Sequence, residues 1–469
     1  MPDETSDAQE TYTIGKYRDK IVNGPIIRTL LWLGAPPLLN QLIVVAYHVA
    51  DTYWLSLYGE VTVAVPRQTW PVIMLFQALI NALTAASLSI VSQYIGAKNY
   101  RDASLSASRF FTLAFFSGIT LSATLLTTRR FIFTQMISTP PEIFEDVMKY
   151  SGIIAFDIFF NYIALTYTTL LQSLGDTKRP AIINCIAVGV NTVLDPLLVL
   201  GLDPFPRLGV IGASLTDVIG KIISTTALIY IAKKEYPDLK VTFTRDMSIK
   251  WIGLVLQIGL PILMLGLMNG FAFLLQLKIV NILGIVAATA YAIGFTIMDI
   301  ADAALWGLSG ATAIMVGQNL GAENIERARE VAYKSALLIA ALTALGACAI
   351  YPLRENLADV FADDPHIVAE TDLFLQTLVP TLPFFGLFIV AASTGRGSGH
   401  TVFPTAIGML RLWGIRVGLG YFLALILGMG SFGAWLAISL SNIIGGVLSI
   451  LWIKYGGWTE AVVGKNRRM

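Results

Sequence analysis

The sequence predicts an all-α polytopic membrane protein, with twelve transmembrane helices in two six-helix lobes related by a pseudo-twofold axis along the membrane normal. Three observations lead there. Of 469 residues, 55% are hydrophobic and 13% charged, against about 25% charged in an ordinary soluble domain, and mean hydropathy is +0.68. Apolar runs of bilayer length recur along the whole chain. The chain also matches itself at an offset of 225 residues.

About 20 apolar residues rising 1.5 Å each cross roughly 30 Å of hydrocarbon. On that measure spans are expected near 26–57, 62–95, 104–137, 146–174, 180–202, 209–232, 251–283, 286–320, 329–353, 369–396, 403–428 and 431–456. The first 25 residues are polar and lack a signal-peptide core, so the first span is expected to stay in the mature protein. Basic residues set the orientation. One set of alternate loops, together with both termini, carries Lys16, Arg18, Lys20, Lys98, Arg101, Lys178, Arg179, Lys233, Lys234, Arg327, Arg329, Lys454, Arg467 and Arg468. The other set carries only Arg129, Arg130, Lys149, Arg207 and Arg354, beside acidic clusters such as Glu142/Glu145/Asp146 and Asp359/Asp363/Asp364. Both termini are therefore expected in the cytoplasm of a multi-pass cell-membrane protein.

The repeat supplies the lobes. "VSQYIGAKNYRDA" at 91–103 and "VGQNLGAENIERA" at 316–328 agree at six of thirteen positions. The same offset sets "LGAP" at 33–36 against "IGLP" at 258–261, and later anchors drift slightly: "GDTKRP" at 175–180 with "GHTVFP" at 399–404, "LGVIGASL" at 208–215 with "MGSFGAWL" at 429–436. Six spans per half means that both halves enter the membrane in the same direction, hence an axis along the normal. The expected division is a tail at 1–25, an N-lobe at 26–232, a linker at 233–250, a C-lobe at 251–456 and a tail at 457–469.

Chemistry is sparse, which makes the polar residues inside spans informative. An ionised carboxylate at the centre of a membrane helix costs roughly 2.5–3.5 kcal/mol on insertion scales. Side chains at i, i+3, i+4 and i+7 share a helix face. By that rule Pro36, Asn40, Tyr47 and Asp51 form one stripe, Tyr150, Asp157 and Asn161 a second, and Asn184, Asn191 and Asp195 a third. Three stripes in one lobe predict a shared polar interior shielded from lipid. The C-lobe departs from this, since Gln276 stands opposite Asp51, and Asp195 falls opposite the stretch from Arg416 to Leu419. A carboxylate needed only to hold the repeat together should appear in both lobes.

Blander roles remain open for each. Asp51 can be a structural acid held by His48 or Tyr47, Asp195 can satisfy a backbone group freed by Pro196, and Asp217 with Lys221 can be an intrahelical i,i+4 pair. Asp299 and Asp302 share a face and can flank a kink or touch a water-filled cavity, and Pro36 can be a packing kink. The glycine-rich "STGRGSGHT" at 393–401 has no strand-to-helix context for a phosphate loop. Cys185 and Cys348 offer no disulfide framework, and His48, His366 and His400 are too scattered for a metal centre. A net charge of +1 argues against a nucleic-acid partner.

Together, "GPIIRTLLWLGAPPLLNQL" with "DTYW", the paired turns at 92–97 and 317–322, "LLQSLGDTKRP" and "NTVLDPLLVLG" resemble the multidrug and toxic compound extrusion (MATE) family over roughly residues 20 to 456, most closely its archaeal and DinF-type branch. That resemblance implies a secondary transporter, not an enzyme, and without a cofactor. By position it implies that Asp51 and Asp195 are the essential acids, Asn191 the amide ligand, Tyr150 the site tyrosine and Pro36 the first-helix bend. Asp217 stands where relatives commonly have threonine, unless Thr216 takes that role. Asn40, Tyr47, Asp157, Asn161 and Asn184 would complete the polar cavity.

The mechanism expected is antiport. Desolvation disfavours the ionised form of a carboxyl group, so lipid-shielded acids can exchange protons near neutral pH, or Na⁺ held by Asp51, Asn191 and Asp195 can neutralise them. Proline lacks the N–H that would brace a helix, which makes Pro36 the compliant element. Cation and amphipathic, often cationic, organic substrate would then favour different states of one monomeric scaffold. A lipid-linked oligosaccharide flippase of the same superfamily is the alternative; it would need a basic central cavity, hinted at only by Lys278, Arg411 and Arg416. An intramembrane enzyme and a passive channel are further classes, the first without a recognisable catalytic motif.

Overall fold

The computed structural model describes residues 12–59 and 64–463; side chains at 49, 56, 67 and 299–304, which include Asp299 and Asp302, lie outside that description. Among the described residues the chain is helical without strands. The N-lobe contains α1 (Ile26–Tyr58), α2 (Ala64–Gly96), α3 (Tyr100–Phe131), α4 (Pro141–Ser173), α5 (Lys178–Leu200) and α6 (Val210–Glu235). The C-lobe contains α7 (Ile249–Ile282), α8 (Ile285–Gly321), α9 (Ile325–Ile350), α10 (Pro365–Ser398), α11 (Val402–Ile426) and α12 (Gly430–Tyr455). Their ends fall within a few residues of the expected spans. Eleven of these helices carry an apolar window of crossing length among the described residues; the other, α8, is 37 residues long with an apolar stretch at Ile285–Met298.

Two helices are not uniform. α10 tightens at Val379–Thr381, around Pro380. α11 is π-wound over Leu410–Leu419 and again over Phe422–Ile426. With i→i+5 hydrogen bonds, residues five apart approach one face, whereas in an α-helix they diverge.

Four large cores explain how the lobes meet. One is private to the N-lobe, running from Leu55 and Val65 to Val210 and Ala213, and one is private to the C-lobe, from Ile279 to Ile438. The other two mix lobes: Trp251, Leu254 and Ile258 of α7 pack among α2, α3, α4 and α6, and Leu30, Leu33 and Leu88 pack with Leu305, Met315 and Ile339. The mixed cores lie toward the linker, so the lobes are joined at that end. Along the seam the last glycine contacts are Gly34 against Leu308 and Gly307 against Leu38, with Gly266 against Ala78. Pro36 and Pro37, inside α1, sit beside these contacts.

The repeat motif lies on the axis itself. A Cβ on Gly96 would overlap the Gln318 backbone, and one on Gly321 would overlap the Gln93 backbone, so the ends of α2 and α8 cross where only glycine lets backbones touch. The glutamines bond across the seam in matching fashion: Gln93 Nε2 donates to the Ser398 carbonyl (3.0 Å), and Gln318 Nε2 to the Ser173 carbonyl (2.8 Å). Each crossing ends in a left-handed residue, Lys98 (φ 57°) and Glu323 (φ 62°). Symmetry stops at the other amide atom. Gln93 Oε1 accepts from the backbone N–H of Val462 and Val463 (2.9 and 3.2 Å), while Gln318 Oε1 is buried without a partner.

The segments nearest each terminus among the described residues tie this same end. Thr13 donates through its N–H and hydroxyl to Asp238 of the linker (2.7 and 2.8 Å), Arg18 donates to the Gly96 carbonyl, and Arg327 of α9 to the Gly24 carbonyl. Lys20 lies 3.4 Å over the Trp32 ring. Buried Asp176 accepts from Arg179 and Tyr236 (both 2.7 Å). Burial and the Asp176 carboxylate raise the phenol pKa of Tyr236 well above its ordinary value, so it remains a donor.

Candidate functional site

Antiparallel packing of α5 on α6 builds a polar ladder. At its lower rung Ser224 donates to Asn184 Oδ1 (2.7 Å). In the middle, Asn191 with its amide nitrogen facing the backbone donates to the carbonyls of Thr216 (2.8 Å) and Ala187 (3.2 Å). It fits because Gly220 stands opposite: a Cβ there would overlap the Asn191 amide. At the upper rung the single Thr216 hydroxyl proton is shared between Asp195 Oδ1 (2.5 Å) and the Ala213 carbonyl (2.7 Å). Asp195 is 0% exposed, yet its Oδ2 has no partner.

α1 closes the ladder from the side. Asn40 Oδ1 faces the Cys185 thiol at 3.7 Å, and Tyr47 reaches past α5 to donate to Asp217 Oδ1 on α6 (2.9 Å). Three readings of the sequence are corrected here. Tyr47 holds Asp217, not Asp51. Asp217 bonds across to α1 instead of pairing with Lys221 along its own helix. Pro196 leaves the Thr192 carbonyl without a helical donor, but Asp195 does not supply one: its Oδ1 meets the Thr216 hydroxyl and its Oδ2 has no partner.

α4 supplies the centre. Tyr150, 6% exposed, is within electrostatic reach of Asp217, Asp51, Asp157 and Asp195. Asp51 in turn acts on Asp195, and Lys221 acts on Asp157 and on His48. Acids from four helices of one lobe thus lie within electrostatic reach of one tyrosine. They do not meet at a point: among the described residues no three His, Cys, Asp or Glu side chains form a metal centre. Asp51 Oδ1 and Asp157 Oδ1 are buried without partners. Asn161 looks elsewhere, donating to Gln77 Oε1 (3.3 Å), whose own amide reaches Asn81 (3.3 Å), so its stripe runs onto α2. Of the predicted residues, the structure brings together Tyr47, Asp51, Tyr150, Asp157, Asn191, Asp195 and Asp217. It sets Asn40 and Asn184 about two turns below them and Asn161 to the side. Gly220, Ser224, Gln77 and Asn81 were missed; a serine, a glycine and lone amides among apolar neighbours give no periodic signal.

The C-lobe counterpart is basic. Arg411 and Arg416, buried at 4% and 9% exposure, both donate to Asn442 Oδ1 of α12 (2.8 and 3.2 Å), and Arg416 also to Ser441 Oγ (2.9 Å). The π-winding of α11 makes this shared grip possible. Arg411 stacks on Phe385 and Phe388. These guanidiniums sit in the core of one lobe, and Lys278 is exposed, which leaves the basic central cavity of a lipid-linked flippase without support.

Comparison with known proteins agrees with this architecture. The chain is 24% identical to the probable multidrug resistance protein YoeA of Bacillus subtilis, over 82% of this chain and 86% of that protein. It is 23% identical to the probable multidrug resistance protein NorM of Thermotoga maritima, over 95% and 96%. The crystal structure of the Vibrio cholerae MATE transporter VcmN in its bent form superposes with a TM-score of 0.84 at 18% identity, over 94% of this chain and 98% of that one, which shows the same fold. The MatE family pattern matches twice, at residues 36–197 and 261–422, with the spacing of the internal repeat. Covering well over half of the sequence, those two matches settle the class: the chain belongs to the MatE family of multidrug and toxic compound extrusion transporters.

Proposed function

We propose that the protein is a cation-coupled antiporter that exports amphipathic, often cationic, organic compounds by alternating access, with the N-lobe acids as the coupling site. The observation that carries this is the gathering of Asp51, Asp157, Asp195 and Asp217 around Tyr150 in the N-lobe, where the C-lobe has Arg411 and Arg416. Two relatives are named as probable multidrug resistance proteins, which supports the substrate class.

The mechanism follows from charge and joints. Asp51, Asp195 and Asp217, with Asn191 and Thr216, take up H⁺ or Na⁺ as the coupling ion. Neutralising them removes mutual repulsion across α1, α5 and α6, and the lobe contracts. α1 yields at Pro36, where the helix lacks one brace; a relative solved in a bent form supports a flexing scaffold. The pump acts as a monomer in the cell membrane, with its linker and both termini cytoplasmic. The lobes, divided at the 233–250 linker, rock so that the Gln93/Gln318 crossing is closed in one state and open in the other. Substrate and cation favour different states, which is what couples their fluxes.

Dye efflux from proteoliposomes under separately imposed pH and Na⁺ gradients is the test. Wild type should respond to at least one gradient, and Asp51→Asn and Asp195→Asn should abolish that response. Normal pumping by both variants refutes the coupling assignment.

A further inference from the structure

The segments that follow α6 and α12 are treated differently by the fold. After α6 the linker is stitched to its own lobe: the backbone N–H groups of Lys240, Thr242 and Thr244 donate to the hydroxyls of Ser104, Ser108 and Thr112 on α3 (2.9, 3.1 and 3.1 Å). Four helical residues rise about 6 Å and two extended residues about 6.6 Å, so every second linker residue meets every fourth residue of α3. Arg109 closes the row on the Asp246 carboxylate (3.0 Å). Residues 456–463, after α12, cross the seam instead. Trp458, 1% exposed, is seated in the core that joins Leu30 and Leu33 to α8 and α9, and its Nε1 donates to the Ile453 carbonyl (2.9 Å). Five residues on, Val463, also 1% exposed, is buried in the core built mainly from α2, α3, α4 and α6. We propose that residues 456–463 are a releasable latch: carried by the C-lobe, they hold the linker end closed by gripping Gln93 of the N-lobe, and they let go of it each time that end opens. This rests on the reading of alternating access.

One amide makes the grip. Gln93 Nε2 donates to the carbonyls of Gly397 and Ser398 (3.1 and 3.0 Å), and its Oε1 accepts from the N–H groups of Val462 and Val463 (2.9 and 3.2 Å), so both ends of the side chain are committed to backbone of the other lobe. One turn earlier on α2, Ser89 donates to the Gly397 carbonyl (3.3 Å). A Cβ on Gly399 would fall 3.1 Å from Ser89 Oγ and 2.9 Å from both Val462 methyl carbons, so α2, the α10–α11 turn and the latch close on one point. The repeat-related amide has no such strap. Gln318 Nε2 meets the Ser173 carbonyl, but its Oε1 is buried without a partner, because the linker has gone to α3. The crossing is thus twofold and the latch single. Parting the lobes pulls Trp458 and Val463 in opposite directions. An indole buries far more surface than one isopropyl group, so the end on the N-lobe is the one that yields.

The experiment uses the full chain in proteoliposomes, with Cys185 and Cys348 replaced by serine. Ser89→Cys with Val462→Cys should be joined by a short, reducible bis-methanethiosulfonate; ethidium efflux should then stop and should return on reduction, while either single cysteine treated alike should pump on. Val463→Asp should unseat the latch without shortening the chain. Burial of an isopropyl group corresponds to roughly a tenfold change in an equilibrium, so a Ser92→Cys reporter at the crossing should react with a water-soluble maleimide about tenfold faster in that variant, and no faster in Val463→Ile. Ala155→Cys, at a position 0% exposed in the core private to the N-lobe, should stay unreactive alongside Val463→Asp, which separates release from loss of fold. Failure of the cysteine pair to link, efflux that continues through the linked pair, Ser92→Cys labelling unchanged by Val463→Asp, or Ala155→Cys labelled with it, overturns the latch. Wild-type efflux indifferent to both cation gradients overturns the coupling assignment and leaves the latch standing, since its labelling needs no gradient.

Discussion

Gly321→Ala should open the closed end of the transporter. The added Cβ overlaps the Gln93 carbonyl oxygen and falls 2.6 Å from its carbon and 2.7 Å from Cα, so the two helices must part. Forcing a methyl into a well-packed contact costs about 1–3 kcal/mol, and here the obstacle is backbone, which cannot swing aside. That cost falls on the state with the lobes joined at the linker end and is absent once they separate. At about 1.4 kcal/mol per tenfold, the equilibrium shifts by roughly 5- to 150-fold. Ser92, 0% exposed and beside Gly317, reports the opening. As Ser92→Cys, with both native cysteines replaced by serine, it should react with a water-soluble maleimide faster by that factor when Gly321→Ala is added. Gly96→Ala should do the same against Gln318, whereas Gly189→Ala, whose Cβ meets nothing within 4 Å, should not. An unchanged labelling rate in Gly321→Ala would refute the crossing as the closed-state contact.

Other tests address the site and the ends. Gly220→Ala should push the Asn191 amide off the α6 backbone and raise the cation concentration for half-maximal efflux by about tenfold, with folding retained on size-exclusion chromatography. Trp458→Ala, removing a ring 1% exposed next to the Gln93 tail contact, should cost about 3–5 kcal/mol, read as a lowered melting temperature. His400, on the turn between α10 and α11, has its Nδ1 buried without a partner, and burial lowers its pKa. The unfolded chain then takes up this proton more readily, so its contribution to stability is intact above about pH 6.5 and lost as pH falls below it. Thermal melts of His400→Gln should show a flatter acid limb than wild type.

Bilayer length and the repeat made the fold legible before any coordinates. A helix that must present about 20 apolar residues leaves little freedom in where it starts, and the spans follow. Asp51 and Asp195 could be singled out because charges in such spans are costly, and their helical spacing assigned them to faces. The fourth wall of the site was harder to see. On α6, Asp217 and Lys221 read as neighbours along one helix because i,i+4 spacing is all that a sequence offers; only packing shows Tyr47 arriving from α1. Gly220 gives no sign that it makes room for an amide. Arg411 and Arg416, five apart, do not share a face of an α-helix, so their common hold on Asn442 follows only once α11 is known to be π-wound.

The crossing of Gln93 and Gln318 also bears on how such a chain descends from a tandem duplication. Copies of one half can differ freely wherever each touches only itself, which leaves room for acids in one lobe and guanidinium groups in the other. At the axis each copy is its sibling's partner, and a bulkier residue in either would collide with the other. Kinship between the two halves is therefore plainest around residues 93–99 and 318–324, where a change in either half is felt by the other.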